Sequence, residues 1–188
     1  MPTTVVGRTQ WPASPGAGRA VNRLRVMAPA RVLFVCMGNI CRSPTAEGVM
    51  RRLLDEAGLS DRIEVDSAGT GAWHAGCGPD PRAVAAAARR GISLTGAARQ
   101  VRLSDFGDFD VIVALDGENA RDLRRLAPDD EARARVRLLR EFDPRHDDDL
   151  DVPDPYYGAD DGFGHVLDLV DAACRGLIDD LRGDGRSS

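Results

Sequence analysis

Short apolar runs alternate with helical patterns along most of the chain. The apolar runs predict β-strands at residues 31–35, 63–68, 110–115 and 135–139. The first and third runs are almost continuously apolar, which is typical of parallel strands covered on both faces. Helical spacing of apolar residues predicts helices at 44–57, 80–91, 118–126 and 163–181.

Cap residues mark the ends of two of these helices. Pro44 stands in the first turn of the first helix, and Gly58 follows its last turn, where a left-handed cap is common. Asp80 and Pro81 are typical of an N-cap and a first helical position, and Gly91 is the residue expected to close that helix. The local signals therefore agree with the periodicity.

The order of the elements predicts an α/β fold. Strands that alternate with helices form a parallel sheet with helices on both faces, so we expect a single doubly wound domain with a four-stranded parallel sheet. A chain of 188 residues fits one such domain. Folds of this class bind ligands beyond the carboxyl ends of the strands. The turn after the first strand and the long acidic stretch after the fourth are therefore the segments expected to carry chemistry.

The two ends of the chain differ from this pattern. Residues 1–30 contain no acidic residue and several Gly and Pro. We interpret them as a disordered extension or as a start codon assigned too early, since Met27 stands four residues before the first strand. A transit peptide is the alternative. The folded domain is expected at residues 31–182, followed by a flexible tail at 183–188.

Composition excludes several classes of function. The net charge is −5 and all 25 basic residues are Arg, so neither nucleic-acid binding nor chemistry that needs Lys is expected. No apolar segment is long enough to cross a membrane. The four scattered Cys, without a secretory leader, predict a reducing cytoplasm, with leaderless export left open.

The turn after the first strand combines residue types that form an anion site. Residues 36–43 read Cys-Met-Gly-Asn-Ile-Cys-Arg-Ser, between a buried strand and a helix N-terminus. Backbone N–H groups of such a loop, together with the helix N-terminus, make a cradle for an anion. Gly and Asn accept the left-handed backbone angles that such a cradle needs. We therefore predict a phosphate-binding loop that includes Met37, Gly38, Asn39, Ile40, Cys41 and Ser43.

Three side chains of this loop indicate a reaction. Arg42 offers a planar, two-pronged contact to phosphate oxygens. The same positive field favours the thiolate form of Cys36, which is the nucleophilic form. Ser43 can donate a hydrogen bond to that thiolate. The alternative, in which Cys36 is a small core residue, does not account for these residue types at one place in the fold.

These residues resemble the signature of a known family. Residues 35–44 are similar to the Cys-x5-Arg-Ser motif of the low-molecular-weight protein tyrosine phosphatases, in their actinobacterial type. Further matching segments are 66–74, 98–100, 114–116 and 154–158. The resemblance implies one α/β domain, no cofactor, no metal, and hydrolysis of phosphotyrosine in proteins through a phosphocysteine intermediate.

The resemblance also implies roles for single residues. Cys36 is the expected nucleophile, Arg42 binds the phosphoryl oxygens, and Asp154 is the general acid for the leaving phenolate and then the base for water. A phenol with a pKa of about 10 leaves more easily once it is protonated, so a carboxylic acid suits this task. The acidic residues around Asp154 are interpreted as a solvated loop, and their charges alone do not separate Asp154 from Asp151.

Aromatic residues on two other segments are expected to form the pocket walls. Trp73 and Tyr156 match the family positions that sandwich a substrate ring, so together they favour a flat aromatic substrate. Each of them alone is more often a core or interface residue. Tyr157 matches the neighbouring wall position, at which family members are themselves phosphorylated. Ser67 matches a position that supports the phosphate-binding loop through hydrogen bonds.

One position departs from the family pattern. The resemblance implies a His shortly before the segment Ala-Arg-Gln at 98–100, and Gly96 stands there instead. Because that His helps to hold the loop asparagine, its absence leaves the orientation of Asn39 open, and another residue or a water molecule can take its place.

The cysteines other than Cys36 are expected to have separate surroundings. The resemblance implies a reversible disulfide between Cys36 and Cys41 that protects the nucleophile, and a packing role for Cys41 is the alternative. Cys77 is expected to be exposed and Cys174 to lie in the core. No spacing of Cys and His is typical of a metal site.

Phosphotyrosine proteins are the expected partners, with inorganic phosphate as product and competing ligand. Arsenate reductases share the fold and loop but need a downstream pair of thiols, and only the distant Cys77 and Cys174 are available. Protein-arginine phosphatases typically have Thr at the place of Ile40 and Phe at the place of Tyr156. A non-catalytic phosphoprotein-binding module is the remaining alternative, although it has no need of a thiol or an acid.

Overall fold

The computed structural model of the chain describes residues 29–146, 148–157 and 161–183. Most of the expected extension, most of the expected tail and the side chain of Tyr157 lie outside this part. The strands are β1 (Ala30–Cys36), β2 (Ile63–Gly69), β3 (Val111–Ala114) and β4 (Val136–Leu138). The α-helices are α1 (Arg42–Ala57), α2 (Pro81–Ala88), α3 (Asp105–Asp108), α4 (Gly117–Leu126), α5 (Asp130–Ala134) and α6 (Asp161–Leu181). Short 3-10 helices lie at Leu139–Phe142 and Pro155–Tyr157.

The strands form one parallel sheet in the order β2-β1-β3-β4. In the centre of the register, Phe34 of β1 lies opposite Ser67 of β2 on one side and Val113 of β3 on the other. The chain leaves β1 toward β2 and then returns across β1 to form β3. The direction of winding therefore reverses between β1 and β3, where folds of this type bind ligands.

Successive residues of β1 point into two different cores. Val32 and Phe34 pack with α1, α2 and α6 on one face of the sheet. Leu33 and Val35 pack with α4 and the segment around Phe106 on the other face. All four side chains are fully buried, so β1 is covered on both sides as its sequence predicts. The predicted class, a doubly wound α/β domain with a four-stranded parallel sheet, is confirmed.

The ends of the elements differ from the predictions in a few places. Gly58 adopts the expected left-handed cap after α1, with φ of 65°. Helix α2 begins at Pro81 as predicted but ends at Ala88, and Gly91 takes its left-handed angle in the turn that follows. Helices α3 and α5 were not predicted, because four and five residues are too few to show a helical period.

No helix in the described part of the chain is both long and apolar enough to cross a membrane.

One glycine of α6 sets how closely this helix approaches the sheet end. A Cβ atom at Gly176 would lie 1.8 Å from the backbone carbonyl oxygen of Phe142, in the 3-10 helix after β4. Real Cβ atoms do not come so near to a backbone oxygen, and neither partner is a flexible side chain. The contact between α6 and this 3-10 helix therefore depends on the absence of a side chain at position 176.

We predict that Gly176→Ala lowers the free energy of unfolding by about 1–3 kcal/mol, because α6 has to move away from Phe142. Gly164→Ala is the matched control on the same helix, since the nearest atom to its new methyl group, Arg90 Nη2, lies 3.9 Å away. The control is expected to gain up to about 1 kcal/mol from helix propensity. Urea denaturation of both variants measures the difference, and equal stabilities would contradict the packing described.

Candidate active site

The predicted phosphate-binding loop, residues 36–43, begins at the carboxyl end of β1 and runs into the first turn of α1. Helix α1 has no side-chain cap at its N-terminus, so its first amide groups remain open toward the loop. Asp116 lies two residues after the end of β3 and caps α4. The loop and Asp116 therefore meet at the point where the winding of the sheet reverses.

Backbone hydrogen bonds turn the carbonyl groups of the loop outward. The amide of Asn39 points inward instead and donates to Cys36 Sγ at 3.3 Å. An inward amide beside a thiol is the arrangement that an anion cradle needs. The carbonyls of Cys36 and Met37 accept from the amides of Thr70 (2.8 Å) and Gly71 (3.0 Å), which follow β2. The carbonyl of Ile40 accepts from the amide of Asp80 (2.8 Å), which precedes α2.

Asn39 stabilises the conformation of the loop through its backbone angle and its side-chain hydrogen bonds. Among the described residues other than glycine it alone has a positive φ, at 55°. Its Nδ2 donates to the hydroxyl oxygens of Ser43 and Ser67, both at 2.9 Å, and its Oδ1 accepts from the amide of Arg99 at 2.9 Å. The side chain of Asn39 is thus bonded on three sides by other residues, although position 96 is a glycine.

The partly buried carboxylate of Glu47 determines which groups of this network donate and which accept. Glu47 Oε2 lies 2.7 Å from Ser67 Oγ and can only accept, so Ser67 donates its proton to Glu47 and accepts from Asn39. Ser43 also accepts from Asn39, which leaves its own proton for Cys36 Sγ at 3.1 Å or for a backbone carbonyl at 3.2 Å. The network therefore leaves Ser43 able to donate to the Cys36 sulfur, and this donation stays a prediction. Sequence reasoning missed Glu47, although its place one helical turn after Ser43 is a signal that could have found it.

Arg42 lies across the loop from Cys36 and is held by two carboxylates. Its side chain is only 4% exposed. Nη1 contacts Asp116 Oδ2 at 2.5 Å and the carbonyl of Val152 at 3.1 Å, and Nη2 contacts Asp154 Oδ2 at 2.9 Å. Burial lowers the pKa of Arg42, but the nearby Cys36 sulfur and the two carboxylates outweigh it and raise the pKa above its usual value. Arg42 is therefore a permanent cation at the loop.

The structure separates the two acids that the sequence left equivalent. Asp154 reaches Arg42, and its other oxygen accepts from the amide of Tyr156 at 3.1 Å. Asp151 instead accepts from the amide of Gly117 at 2.7 Å, at the start of α4. Of the two, only Asp154 faces the loop. Sequence reasoning gave no role to Asp116, although its position directly after the predicted strand at 110–115 was a signal.

The two predicted wall residues lie on exposed loops beside the site. Trp73 is 74% exposed, and its ring lies over Gly71, where a Cβ atom would be 1.7 Å from the indole. Tyr156 follows Asp154 in the second 3-10 helix and is partly exposed. Its ring centroid is 6.5 Å from that of His74, which also packs against Gly38 of the loop. His74 was not singled out from the sequence, and it connects the Trp73 loop with Tyr156.

The four cysteines are all free thiols, with different surroundings. Cys174 is buried and Cys77 is exposed, as expected for both. Cys36 and Cys41 are also buried. Burial above all, helped by the negative charges of Asp80 and Asp154, raises the pKa of Cys41 to about 12. Cys41 is therefore a protonated, poorly nucleophilic thiol at neutral pH.

We predict that Cys41 resists alkylation although it lies beside the nucleophile. With its pKa raised to about 12, the thiolate fraction is negligible at pH 8 and grows only as the pH approaches that value. In the Cys36→Ser variant, iodoacetamide at pH 8 should label Cys77 and leave Cys41 and Cys174 unmodified, as read by peptide mass spectrometry. Labelling of Cys41 at the rate of Cys77 would contradict the burial described.

The chain is similar to known proteins in both sequence and fold. The family described as low molecular weight phosphotyrosine protein phosphatase matches residues 31–187. A low molecular weight protein-tyrosine-phosphatase of Streptomyces coelicolor is 54% identical over 153 residues, which are 81% of this chain and 93% of that protein.

Two solved structures show the same fold. A protein tyrosine phosphatase of Entamoeba histolytica, with Hepes in its active site, has a TM-score of 0.79 and 37% identity, covering 82% of this chain and 98% of that chain. A Drosophila arginine phosphatase has a TM-score of 0.73 and 31% identity, and the match covers 78% of this chain and 94% of that chain. On the family match and the identity to its relatives, the chain belongs to the low-molecular-weight protein tyrosine phosphatases.

Proposed function

We propose that this phosphatase hydrolyses phosphotyrosine in proteins through a phosphocysteine formed on Cys36. The observation that carries the proposal is the contact of Asp154 with Arg42 at 2.9 Å across the loop that begins at Cys36. It brings a nucleophile, a cation for the phosphoryl oxygens and a carboxyl group for proton transfer around one anion site. A cytoplasmic location remains a prediction from the sequence.

In the first step, the thiolate of Cys36 attacks phosphorus and the bond to the phenol oxygen breaks. Arg42 and the inward amides of the loop stabilise the charge on the transferred phosphoryl group. Asp154 takes up a proton from solvent once substrate has displaced it from Arg42, and passes this proton to the leaving phenolate. Phosphoryl oxygens take over the Nη2 side of Arg42 that Asp154 holds in the free enzyme, while Asp116 keeps the Nη1 side.

In the second step, Asp154 accepts a proton from water, whose oxygen attacks phosphorus. The sulfur–phosphorus bond breaks, the thiolate of Cys36 returns, and inorganic phosphate leaves. Ser43 supports both steps, because its hydroxyl lies 3.1 Å from the sulfur and can donate its proton whenever the sulfur is negatively charged. Inorganic phosphate fits the same cradle and is therefore expected to compete with substrate.

Two residues support tyrosine over arginine as the phosphorylated residue, even though one structural relative is an arginine phosphatase. This chain has Ile40 and Tyr156 where arginine phosphatases typically have Thr and Phe. Trp73 and Tyr156 are exposed aromatic groups on the two loops beside the site, which suits a flat substrate ring.

We predict that Cys36→Ser abolishes turnover while binding of a phosphate analogue persists, because the cradle and Arg42 remain. Asp154→Asn should slow hydrolysis of phosphotyrosine by about two to four orders of magnitude, which is the usual contribution of a general acid. Steady-state kinetics and equilibrium binding of vanadate or phosphate measure the two effects. Equal loss of binding in both variants would show that the assigned roles are wrong.

The substrate is tested with a phosphotyrosine peptide and a phosphoarginine peptide, without added metal, in the wild type and in Cys36→Ser. Rapid release of phosphate from phosphotyrosine alone, and only with Cys36 present, is the expected result. Faster release from phosphoarginine would overturn the assignment to tyrosine. Binding of the peptide without release would instead favour a phosphoprotein-binding module.

A further inference from the structure

Arg82, in the first turn of α2, is joined firmly to the residue that caps this helix. Its Nε and Nη2 contact the two carboxylate oxygens of Asp80 at 3.1 and 2.9 Å. Asp80 Oδ1 also accepts from the amide of Arg82 at 2.8 Å, and the amide of Asp80 donates to the carbonyl of Ile40 at 2.8 Å. Arg82 is thus tied, through Asp80, to the phosphate-binding loop.

The free edge of the same guanidinium reaches the turn that carries Asp154. Arg82 Nη1 donates to the carbonyl of Tyr156 at 3.2 Å. Its guanidinium carbon also lies 5.4 Å from the centre of the Tyr156 ring and 5.1 Å from that of Phe163 at the start of α6. These distances are typical of cation–π contacts.

Tyr156 is therefore held through both sides of its backbone. Its amide donates to Asp154 and its carbonyl accepts from Arg82. One chain of hydrogen bonds runs from the loop carbonyl of Ile40 through Asp80, Arg82 and Tyr156 to Asp154. Its members are separated by 2.8–3.2 Å.

We propose that Arg82 is a positioning residue for the general acid, which fixes the Asp154 turn relative to the phosphate-binding loop. This inference rests on the proposed function, because it assigns Arg82 a role only if Asp154 transfers the proton. The planar guanidinium of Arg82 contacts the Asp80 carboxylate, the Tyr156 carbonyl and two aromatic rings at once. An ammonium group cannot reproduce this set of contacts. Since an exposed ion pair alone adds little stability, the effect of Arg82 is expected in catalysis rather than in folding.

Arg82→Ala is tested by the kcat/KM for a phosphotyrosine peptide and for p-nitrophenyl phosphate. The kcat/KM reports the steps up to cleavage of the phenol ester. The nitrophenolate released from p-nitrophenyl phosphate is a much better leaving group than the phenolate of tyrosine, so its departure depends less on a general acid. Both substrates carry an aromatic ring, so any change in the Tyr156 wall largely cancels in their ratio. We expect Arg82→Ala to lower the kcat/KM for the phosphotyrosine peptide, divided by the kcat/KM for p-nitrophenyl phosphate, about tenfold. Asp154→Asn should lower the same ratio by more.

Arg90→Ala is the matched control. Arg90 also contacts a carboxylate and a backbone carbonyl, Asp168 at 2.6 Å and Gly164 at 3.1 Å, but these belong to α6 and not to the Asp154 turn. Its ratio should equal that of the wild type. Arg82→Lys should fall between Arg82→Ala and the wild type, and thermal unfolding of all three variants confirms that they are folded.

Several outcomes would overturn the positioning role. They are an unchanged ratio in Arg82→Ala, an equal loss with both substrates, or a shift of the same size in Arg90→Ala. Failure of the proposed function has a different signature, because the wild type would then show no Cys36-dependent release from either substrate.

Discussion

The loop that begins at Cys36 depends on Asn39, whose backbone takes a left-handed angle and whose side chain is bonded on three sides. The angle turns its amide toward Cys36 Sγ, and the side chain joins the loop to Ser43 on α1, Ser67 on β2 and the amide of Arg99. Few residues other than glycine adopt this angle, and asparagine is the usual exception. Glycine would adopt the angle equally well but would lose all three side-chain bonds. The loop therefore needs this residue type for two reasons at once.

A second constraint is the buried cation at the end of the loop. An unpaired buried guanidinium costs several kcal/mol, and Arg42 avoids this cost by pairing with Asp116 and Asp154. The same arrangement suits a phosphatase, because a phosphate group can supply the negative charge that Asp154 supplies in the free enzyme. This local balance also explains how a chain with a net charge of −5 offers a site for an anion. Asp116 and Asp154 are thus part of the anion site, because both pair with its cation.

The sequence predicted the parts of the site that are close together along the chain. Cys36, Asn39, Arg42 and Ser43 fall within eight residues, and the fold places them at the end of a strand that is recognisable from its apolar run alone. The strands and the longer helices were likewise predictable from periodicity, whereas α3 and α5 are too short to show one.

Contacts between distant segments were beyond the reach of periodicity. Asp151 and Asp154 are equivalent as acids, and only the packing of the chain turns one toward α4 and the other toward Arg42. Glu47 and His74 look like an ordinary surface acid and an isolated histidine until the fold places them behind and beside the loop. The consequence of Gly96 was open in the sequence for the same reason, since the bonds that orient Asn39 come from Ser43, Ser67 and Arg99.

The most direct test of the account is to trap the covalent intermediate. Asp154→Asn is mixed with p-nitrophenyl phosphate, quenched in acid within milliseconds to seconds, digested and examined by mass spectrometry. The good leaving group allows the first step to proceed without the acid, while hydrolysis of the intermediate lacks its base. A phosphoryl group on the peptide that contains Cys36, absent in Cys36→Ser, is the predicted result. A burst of nitrophenol without phosphorylated Cys36, or a phosphoryl group on another residue, would contradict the mechanism.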